Sequence, residues 1–355
     1  MKSRIYVCHT YYHAFIAIVK ELIMPKEEHG KATLVLSTMS NDFGSLNERV
    51  QSCGLFEEVV MYDEKEDTKF PQLAKYRKDT GNIVSNMWNR IIFTKKFGKL
   101  LAPDVPVDFK QYKDIYVFCD SDPIGFYLSY KKIYYHAVED GLDTMKDCDK
   151  ARYSNRGHFG IKAWMAKHNL IFIEYGYGKY CLDMEVNDIS VCPYPMPNFI
   201  EVNRNEMFAK LTAKDKRLLV SLFVADFETL ENKIKKAPVD MPKCLILTEP
   251  LCELDVREQM FRDILEEYCQ GMVPIIKPHP RDVLNYTEKF SECIVIEGKF
   301  PMEVLNYIDG MNFEKVISVF TPPGAIQFAG DIVYLGEDFL DKYEDPMIHR
   351  ENELI

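Results

Sequence analysis

The chain has 355 residues, of which 47% are apolar and 28% charged, and its formal net charge is −11. That length exceeds one ordinary domain and suits two, each with its own core. The acidic balance argues against duplex nucleic acid as a general partner, because no excess of basic residues is present to displace counterions from phosphates. A nucleotide can still bind in a local pocket of backbone amides and a few cations.

The ten cysteines include no C-x-x-C pair, which argues against a zinc site or a thioredoxin-like motif. Those in apolar runs, such as Cys8, Cys119 and Cys244, are interpreted as small buried hydrophobes in a reducing cytosol. The N-terminal segment lacks a small-residue cleavage site, and no run approaches the roughly 18 apolar residues of a membrane span. We therefore expect a cytoplasmic protein. The cationic stretch FTKKFGKLL is a solvated helix face or, alternatively, a peripheral contact with the inner face of the cell membrane.

Short apolar runs alternate with helical patterns in the N-terminal half. RIYVCHT, ATLVLST, EEVVMYDE, DIYVFCDSD and KIYYHAVEDG are typical of strands, whereas residues 12–22 and 82–101 carry apolar residues at helical spacing. Pro123 indicates the start of a further helix. This order predicts a parallel sheet with helices on both faces.

The pattern loosens between residues 152 and 242 and then resumes. CLILTEP, VPIIKPHP, CIVIEG, KVISVF and DIVYLG are typical of strands, and KKAPVDMPK of a linker. We predict two Rossmann-like, doubly wound α/β domains, at residues 1–238 and 239–336, facing each other across a cleft. A charged tail at residues 337–355 forms a last helix or frays. Ligands of such folds bind beyond the carboxyl ends of the strands, so the polar residues that follow each strand are the candidates for function.

The stretch IIKPHPRDVL places one histidine between two prolines at the end of a predicted buried strand. Pro278 and Pro280 fix the backbone around His279 and remove two backbone donors. Lys277 and Arg281 flank the imidazole, which suits binding of a phosphate with the histidine as donor or proton source. The alternative is a structural turn in which the histidine is incidental.

The stretch VEDG offers two carboxylates at another strand end, Glu139 and Asp140, followed by Gly141. Adjacent carboxylates disfavour simultaneous ionisation, so one of them is suited to act as a base. Consecutive residues point in different directions, and we expect only one to face the cleft. A turn or a helix cap is the alternative.

Two more strand ends in the second half carry candidate ligands for a nucleotide. Ser318 and Thr321, with Gly324 at the start of a predicted helix, suit a phosphate oxygen. Glu297 and Glu303 suit ribose hydroxyls, although Glu303 also fits a simple interaction with a helix dipole.

The N-terminal half presents His9, Thr10 and His13 near the first predicted helix, and Asp120 and Asp122 after a later strand. These residues line an acceptor pocket or serve as helix caps. A metal site built from the two histidines and a carboxylate is the less favoured interpretation, and we expect no metal.

Together, VEDG and KPHPR resemble the paired D/E-D/E-G and HP motifs of bacterial sialyltransferases, and VFTPPGA falls where those enzymes carry a hydroxyl-bearing phosphate motif. The first strand followed by TYYH resembles the lipooligosaccharide and capsule enzymes of glycosyltransferase family 52 and the polysialyltransferases. The resemblance implies a GT-B fold and an inverting reaction without a metal or other cofactor. It also implies CMP-N-acetylneuraminic acid as donor, held mainly by the C-terminal domain, and a galactose-ended glycan as acceptor on the N-terminal side.

The resemblance also implies roles for individual residues. His279 would stabilise or protonate the CMP phosphate, and Asp140, with Glu139 beside it, would take the proton of the acceptor hydroxyl. The implied donor-binding residues are Lys277, Pro280, Arg281, Glu297, Glu303, Ser318, Thr321 and Gly324.

Two departures from the family pattern leave alternatives open. The phosphate motif is usually serine-rich and here contains Thr-Pro-Pro. Some family 52 members carry the catalytic aspartate after the first strand of the second domain, where this chain offers Glu249, Glu253 and Asp255 as rival bases. Alternative functions are a glycerophospho- or Kdo-transferase, a sugar-nucleotide epimerase, and an inactive nucleotide- or glycan-binding module. The sequence leaves the linkage and the acceptor undefined and a homodimer open.

Overall fold

A computed structural model describes residues 2–142, 144, 150–192, 198–235, 237–238 and 240–349. The chain divides into two compact units, Met1–Leu211 and Thr212–Leu354. Each unit is built on one parallel sheet, with seven strands in the first and five in the second.

The first unit alternates strands with helices. Its strands are β1 (Lys2–Cys8), β2 (Ala32–Ser37), β3 (Glu58–Tyr62), β4 (Tyr112–Phe118), β5 (Tyr135–Val138), β6 (Cys181–Val186) and β7 (Phe199–Glu201). Its α-helices are α1 (Tyr11–Leu22), α2 (Leu46–Ser52), α3 (Ala74–Arg77), α4 (Ile83–Leu101), α5 (Pro123–Lys131), α6 (Lys150–Ser154), α7 (Phe159–Lys167) and α8 (Arg204–Ala209). Its 3-10 helices are Lys26–Glu28, Asp67–Lys69, Pro71–Leu73, Phe109–Gln111 and Ile189–Val191.

The second unit begins with two helices and then repeats the alternation. Its α-helices are α9 (Ala213–Phe223), α10 (Phe227–Lys235), α11 (Leu254–Tyr268), α12 (Tyr286–Lys289), α13 (Glu337–Leu340) and α14 (Pro346–His349). Its strands are β8 (Lys243–Leu247), β9 (Val273–Lys277), β10 (Ile294–Val295), β11 (Phe313–Ser318) and β12 (Ala329–Tyr334). Its 3-10 helices are Met302–Tyr307 and Pro323–Ala325.

Both sheets have the Rossmann strand order. The first runs β3-β2-β1-β4-β5-β6-β7, and the second runs β10-β9-β8-β11-β12. All pairings are parallel, for example Val7 with Val35 and Val117, and Ile246 with Ile276. In each sheet the order reverses at its first strand, β1 or β8, so the crevices used by ligands of this fold lie beyond the ends of β1 and β4 and of β8 and β11.

The central strands are nearly continuous apolar runs because helices cover both faces of each sheet. Ile5 and Val7 of β1 are fully buried in the first core, and Ile246 and Ile276 are fully buried in the second. Each such side chain contributes about 1.5–3 kcal/mol by leaving water. Burial of these runs on both faces anchors the strands whose carboxyl ends carry the polar residues.

The predicted strands of both halves are confirmed, as is the helix that begins at Pro123. The strands β6 and β7 lie in the stretch whose pattern loosens, and the sequence did not predict them. The tail begins with α13, whose Phe339 and Leu340 are buried in the second core. Residues 350–355 of the tail, and residues 236 and 239 of the predicted linker, lie outside the described residues.

The two units divide at residues 211 and 212, whereas the predicted boundary follows residue 238. The physical reason is long-range packing by α9 and α10. The α9 helix packs on the 3-10 helix Met302–Tyr307, where Lys216 lies 5.6 Å from the ring centroid of Tyr307. Lys233 of α10 pairs with Glu297 at 2.8 Å. These contacts join both helices to the second unit.

Candidate active site

In the first unit, a buried histidine and a buried glutamate connect the ends of several strands. His9 follows β1, and its Nε2 lies 2.7 Å from Oε2 of Glu64 while its Nδ1 lies 2.9 Å from the carbonyl oxygen of Phe118. The hydroxyl of Ser37 donates to Oε2 of Glu64 at 2.8 Å, and the backbone amide of Ile124 donates to Oε1 at 2.6 Å. The pair therefore ties β1, β2, β4 and the first turn of α5 together.

The electrostatics of this pair keep the histidine charged. Burial alone would lower the pKa of His9, but the carboxylate of Glu64, with help from Asp122, outweighs burial and raises the pKa to about 9. Asp122 lies 3.4 Å from Nδ1 of His9, and burial raises the pKa of this carboxyl to about 6. Glu64 was not among the sequence candidates. The available signal was its position at a strand end, in EEVVMYDE.

A second histidine holds the exposed member of the acidic pair. Nε2 of His13 lies 2.7 Å from Oδ1 of Asp140 and 2.8 Å from the carbonyl oxygen of the same residue. The backbone amide of His9 donates to Nδ1 of His13 at 3.1 Å, so Nδ1 carries no proton and Nε2 is the donor. Burial lowers the pKa of His13, which favours the neutral ring although the hydrogen bond to Asp140 acts in the opposite direction. Thr10 caps α1 by accepting the backbone amide of His13 at 3.1 Å.

The two adjacent carboxylates diverge, as the sequence predicts. Glu139 is buried, and its Oε2 accepts the backbone amide of Asn187 at 2.8 Å. The side chain of Asp140 is 36% exposed. Only Asp140 is therefore accessible to a substrate hydroxyl, whereas Glu139 connects the end of β5 to the residue that follows β6.

Asp120 has a supporting role in the structure. It is buried, accepts the hydroxyl of Tyr135 at 2.8 Å and the backbone amide of Tyr175 at 2.9 Å, and burial raises its pKa to about 6. A Cβ added at Gly125 would lie 2.0 Å from the carbonyl oxygen of Asp120 and 2.5 Å from the ring of Phe172. The glycine is therefore required for the close approach of α5 to the end of β4.

In the second unit, the loop after β9 presents His279. The hydroxyl of Thr248 accepts the backbone amide of His279 at 3.0 Å, and the backbone amide of Arg281 donates to Nδ1 of the ring at 3.1 Å. This leaves Nε2 as the site of the ring proton. Burial, followed by the charges of Arg281 and Lys277, lowers the pKa of His279 to about 4. At neutral pH the ring is a neutral hydrogen-bond donor.

A buried ion pair fixes this loop. Asp282 pairs with Arg257 at 2.7 Å, accepts the hydroxyl of Tyr286 at 2.8 Å and accepts the hydroxyl of Thr248 at 3.2 Å. Arg257 in turn donates to the carbonyl oxygen of Cys252 at 2.8 Å. Neither member of the pair was a sequence candidate, because α11 carries Arg257 with an ordinary helical pattern around it.

Lys277 and Glu303, both candidate donor ligands, are buried instead. The ammonium of Lys277 donates to the carbonyl oxygens of Pro278 at 2.7 Å and Gly298 at 3.3 Å, and it lies 4.1 Å from the ring centroid of Phe300. Burial lowers the pKa of Lys277 to about 7 and raises the pKa of Glu303 to about 7. In this structure the ammonium is directed to the backbone that supports the His279 loop.

The ends of β8 and β11 meet through Glu249. Its carboxylate accepts the backbone amide of Phe320, at 2.9 Å from Oε2, and the hydroxyl of Thr321, at 3.0 Å from Oε1. Burial raises the pKa of Glu249 to about 7, against the opposing effect of these hydrogen bonds. The hydroxyl of Ser318 donates to the carbonyl oxygen of Thr321 at 2.9 Å and so shapes the same turn.

Most of the remaining sequence candidates lie at exposed positions. Glu297 forms its ion pair with Lys233 and is 57% exposed. Exposed positions also hold Glu253 and Asp255 at the start of α11, Arg281 beside His279, and Gly324 in the 3-10 helix Pro323–Ala325. Pro280 is half-buried next to His279.

Within the described ranges, no group of three or more His, Cys, Asp or Glu side chains is arranged to hold a metal ion. Independence from metals remains a prediction of the sequence. In the same part of the chain, no helix combines the length and the apolar character that crossing a bilayer requires.

Three solved sialyltransferase structures share the architecture. The α/β-galactoside α-2,3-sialyltransferase of Photobacterium phosphoreum has a TM-score of 0.52 and 12% identity, over 94% of this chain and 90% of that one. The GT-B domain of a Photobacterium damselae sialyltransferase has a TM-score of 0.50 and 12% identity, over 98% and 96%. A 2,6-sialyltransferase of a Photobacterium species, in a complex with CMP and lactose, has a TM-score of 0.52 and 11% identity, over 94% and 71%. At these identities the likeness shows the fold, which is GT-B.

A relative of known sequence matches a smaller part of the chain. An uncharacterized protein of Haemophilus influenzae is 26% identical over 125 residues, which are 34% of this chain and 38% of that protein. The match therefore spans well under half of the length of the relative.

The sequence profile of Glycosyltransferase family 52 matches residues 59–322. This match covers well over half of the chain and includes Asp140, His279 and Thr321, and it establishes that the chain belongs to glycosyltransferase family 52.

Proposed function

We propose that this protein is an inverting sialyltransferase that moves sialic acid from CMP-N-acetylneuraminic acid to a galactose-ended glycan. The observation that carries the proposal is the partly exposed carboxylate of Asp140, held at 2.7 Å by the neutral imidazole of His13, at the carboxyl edge of a sheet in a family 52 chain. A carboxylate held in this way is suited to receive the proton of an acceptor hydroxyl.

The reaction begins at the acceptor. Asp140 takes the proton of the attacking hydroxyl, and the oxygen of that hydroxyl forms a bond to C2 of the sialic acid. The bond between C2 and the phosphate oxygen breaks at the same time, and CMP departs with the electron pair. A single displacement of this kind inverts the configuration at C2.

His279 acts on the departing CMP. Its Nε2–H donates a hydrogen bond to a phosphate oxygen, where negative charge grows in the transition state. The ring is neutral in the free protein because burial, Arg281 and Lys277 lower its pKa to about 4. The dianionic charge of a departing phosphate would raise that pKa and favour proton transfer to the phosphate. Arg281, exposed beside the ring, supplies a compensating cation.

Glu249 is the rival base, and its contacts favour a different role. Both of its oxygens already accept hydrogen bonds, from the backbone amide of Phe320 and from the hydroxyl of Thr321. These donors lie at the end of β11, where a phosphate would bind in a Rossmann-like unit. We assign Glu249 to the organisation of the donor site, together with Thr321 and Ser318. Glu253 and Asp255 are exposed at the start of α11 and remain weaker alternatives.

The second candidate function is transfer from another activated donor, such as CMP-Kdo or CDP-glycerol, by the same two residues. The observation that favours keeping it is the departure from a serine-rich phosphate motif at Thr321-Pro322-Pro323. A surface lipooligosaccharide or capsule is the acceptor that the family resemblance suggests for either donor. Action in the cytoplasm at the inner face of the membrane follows from that acceptor.

The test is a direct assay of donor and acceptor. Purified protein is incubated with CMP-N-acetylneuraminic acid and lactose, and CMP release and sialyllactose are followed by chromatography and mass spectrometry. Parallel reactions contain CMP-Kdo, CDP-glycerol or UDP-N-acetylglucosamine as donor. We expect sialyllactose from the first donor alone and none from Asp140→Asn.

Other outcomes distinguish the alternatives. Transfer from CMP-Kdo or CDP-glycerol but not from the sialyl donor would replace our proposal with the second candidate. A free epimerised sugar formed without any acceptor would identify an epimerase. A higher thermal midpoint in the presence of CMP, without consumption of any donor, would identify a binding module.

A further inference from the structure

We propose that His13 is a positioning residue for Asp140. The backbone amide of His9, held in place by Glu64, keeps His13 in the tautomer whose proton is on Nε2. This inference rests on the proposed function in one respect, namely that Asp140 is the base. It concerns a part of the site that neither the HP motif nor the acidic motif contains.

The tautomer of His13 follows from its two neighbours. The backbone amide of His9 is always a donor, so the Nδ1 atom that it contacts at 3.1 Å must accept. Nε2 then carries the ring proton and donates to Oδ1 of Asp140 at 2.7 Å. This directed hydrogen bond from His13 to Oδ1 limits the rotation of the Asp140 side chain.

The backbone amide of His9 is itself held in place. The ring of His9 lies between Oε2 of Glu64 at 2.7 Å and the carbonyl oxygen of Phe118 at 2.9 Å. Asn41 donates to the carbonyl oxygen of His9 at 2.8 Å. The ring of His13 stacks on Phe118 with a centroid distance of 4.9 Å and an interplanar angle of 19°. A displacement of His9 would therefore change the donor that sets the His13 tautomer.

Several titratable groups surround the pair, and a pH measurement must account for them. His9 faces His13, while Asp122, Cys119 and Tyr175 interact electrostatically with Asp140. Burial raises the pKa of Cys119 and of Tyr175 well above neutral, so both remain uncharged between pH 5 and 8. Asp122 is the neighbour that titrates in this range, with a pKa of about 6. The variant Asp122→Asn therefore serves as the reference for the pH profile.

The first experiment reads the tautomer without any turnover. Histidine is labelled with ¹⁵N in the full chain, and the two ring nitrogens of His13 are assigned by comparison with the spectrum of His13→Gln. We expect a protonated Nε2 and an unprotonated Nδ1 across neutral pH. A proton on Nδ1 or a doubly protonated ring at neutral pH would overturn the proposal, whichever sugar the enzyme transfers.

The second experiment compares two amide replacements of His13. The amide of glutamine reaches the position of Nε2 and can donate to Asp140, whereas the amide of asparagine reaches only the position of Nδ1. We expect His13→Asn to lower kcat about 10- to 100-fold, as for loss of an orienting hydrogen bond. We expect His13→Gln to remain within about fivefold of the parent, since it keeps one neutral donor in place. KM for lactose should change little in either variant.

The pH profile separates positioning from a purely structural role. The carboxylate of Asp140 loses a donor in His13→Asn, so the acid limb of kcat/KM should move to higher pH. The matched control is His136→Ala, which removes the contact between Nδ1 of His136 and Asp183, at 2.8 Å, on β5 and β6 of the same unit. This control should leave both kcat and the acid limb unchanged.

Each outcome decides the matter. Equal kcat values for His13→Asn and His13→Gln, or an unchanged acid limb in His13→Asn, would overturn the positioning role. If neither variant folds, as judged by circular dichroism, the ring nitrogens of His13 are assigned instead by replacing the other seven histidines one at a time. The tautomer measurement on the parent protein then still tests the proposal. If the parent transfers no sialic acid, the proposed function fails, and the tautomer measurement stands independently.

Discussion

The two sheets have the same strand order, yet their carboxyl edges fix their histidines in different ways. In the first unit, His9 and His13 are held by residues distant in sequence, namely Glu64, Phe118 and Asp140. In the second unit, His279 is held by its own loop, through the backbone amide of Arg281, and by Thr248. The first arrangement exists only after the sheet has formed, whereas much of the second is encoded within three residues.

The histidines of the two units also differ in charge. His9 lies beside a buried carboxylate and is cationic, whereas His279 lies beside Arg281 and Lys277 and is neutral. The first unit thus presents an oriented carboxylate for accepting a proton, and the second presents a neutral donor beside cations for contacting an anion. Under the proposed function, the carboxylate would serve the acceptor and the neutral donor would serve the nucleotide, and the following predictions test this assignment.

The largest effect is expected from the base. An amide cannot accept the proton, so Asp140→Asn should lower kcat by about 10²–10⁴-fold. Glu249→Gln keeps an oxygen that can accept the backbone amide of Phe320, so the kcat of this variant should stay within about tenfold of the parent value. Steady-state kinetics with CMP-N-acetylneuraminic acid measure both, with CMP affinity as the control for folding. The reverse ranking would move the base to the second unit.

An intermediate effect is expected from the donor histidine. His279→Ala removes one preorganised donor to the leaving phosphate and should lower kcat about 10²–10³-fold while the fold is retained. His279→Gln, whose amide reaches the Nε2 position, should recover part of that loss. Rapid-quench measurement of CMP release reports the chemical step. A rate equal to that of the parent in His279→Ala would remove the catalytic role of this ring.

The smallest effect is expected in the pH dependence of stability, and it differs between the units. The pKa of His9 is raised from 6.5 to about 9 on folding. Its contribution to the free energy of unfolding is therefore complete below pH 6.5 and is lost as the pH rises through 9. The pKa of Glu249 is raised from 4.5 to about 7, so its contribution is complete below pH 4.5 and is lost as the pH rises through 7. Each contribution is of order 1–3 kcal/mol.

Thermal unfolding from pH 4.5 to 9.5 tests these two windows. Glu249→Gln should flatten the decline in stability below pH 7, and His9→Gln should flatten the decline between pH 6.5 and 9. Each variant should leave the window of the other residue unchanged. Identical pH profiles for both variants and the parent would contradict the assigned charge states.

The sequence predicts the fold well because the buried strands of a parallel sheet are continuous apolar runs. It misses β6, whose sequence CLDMEV carries two acidic residues and follows a stretch rich in glycine and tyrosine. It also places α9 and α10 in the first domain, because their partners, the 3-10 helix Met302–Tyr307 and Glu297, lie far along the chain.

The site follows the same rule. His279 is marked by its flanking prolines, and Asp140 by an acidic pair at a strand end. Arg257 and Asp282 carry no such mark, because each acts through a partner that only the folded chain brings near. Glu64 follows β3, and its position at a strand end is the signal in the sequence that marks it.

Gly125 links the packing of a helix to the chemistry of the site. The 2.0 Å clearance at this position means that even one methyl group would lift the start of α5 from the end of β4. The next amide toward the N-terminus, that of Ile124, is the one that holds Glu64, and Glu64 holds His9. The absence of a side chain at Gly125 therefore determines how closely α5 approaches the end of β4. Through Ile124 and Glu64, that distance determines the orientation of the imidazole of His9, more than a hundred residues earlier in the chain.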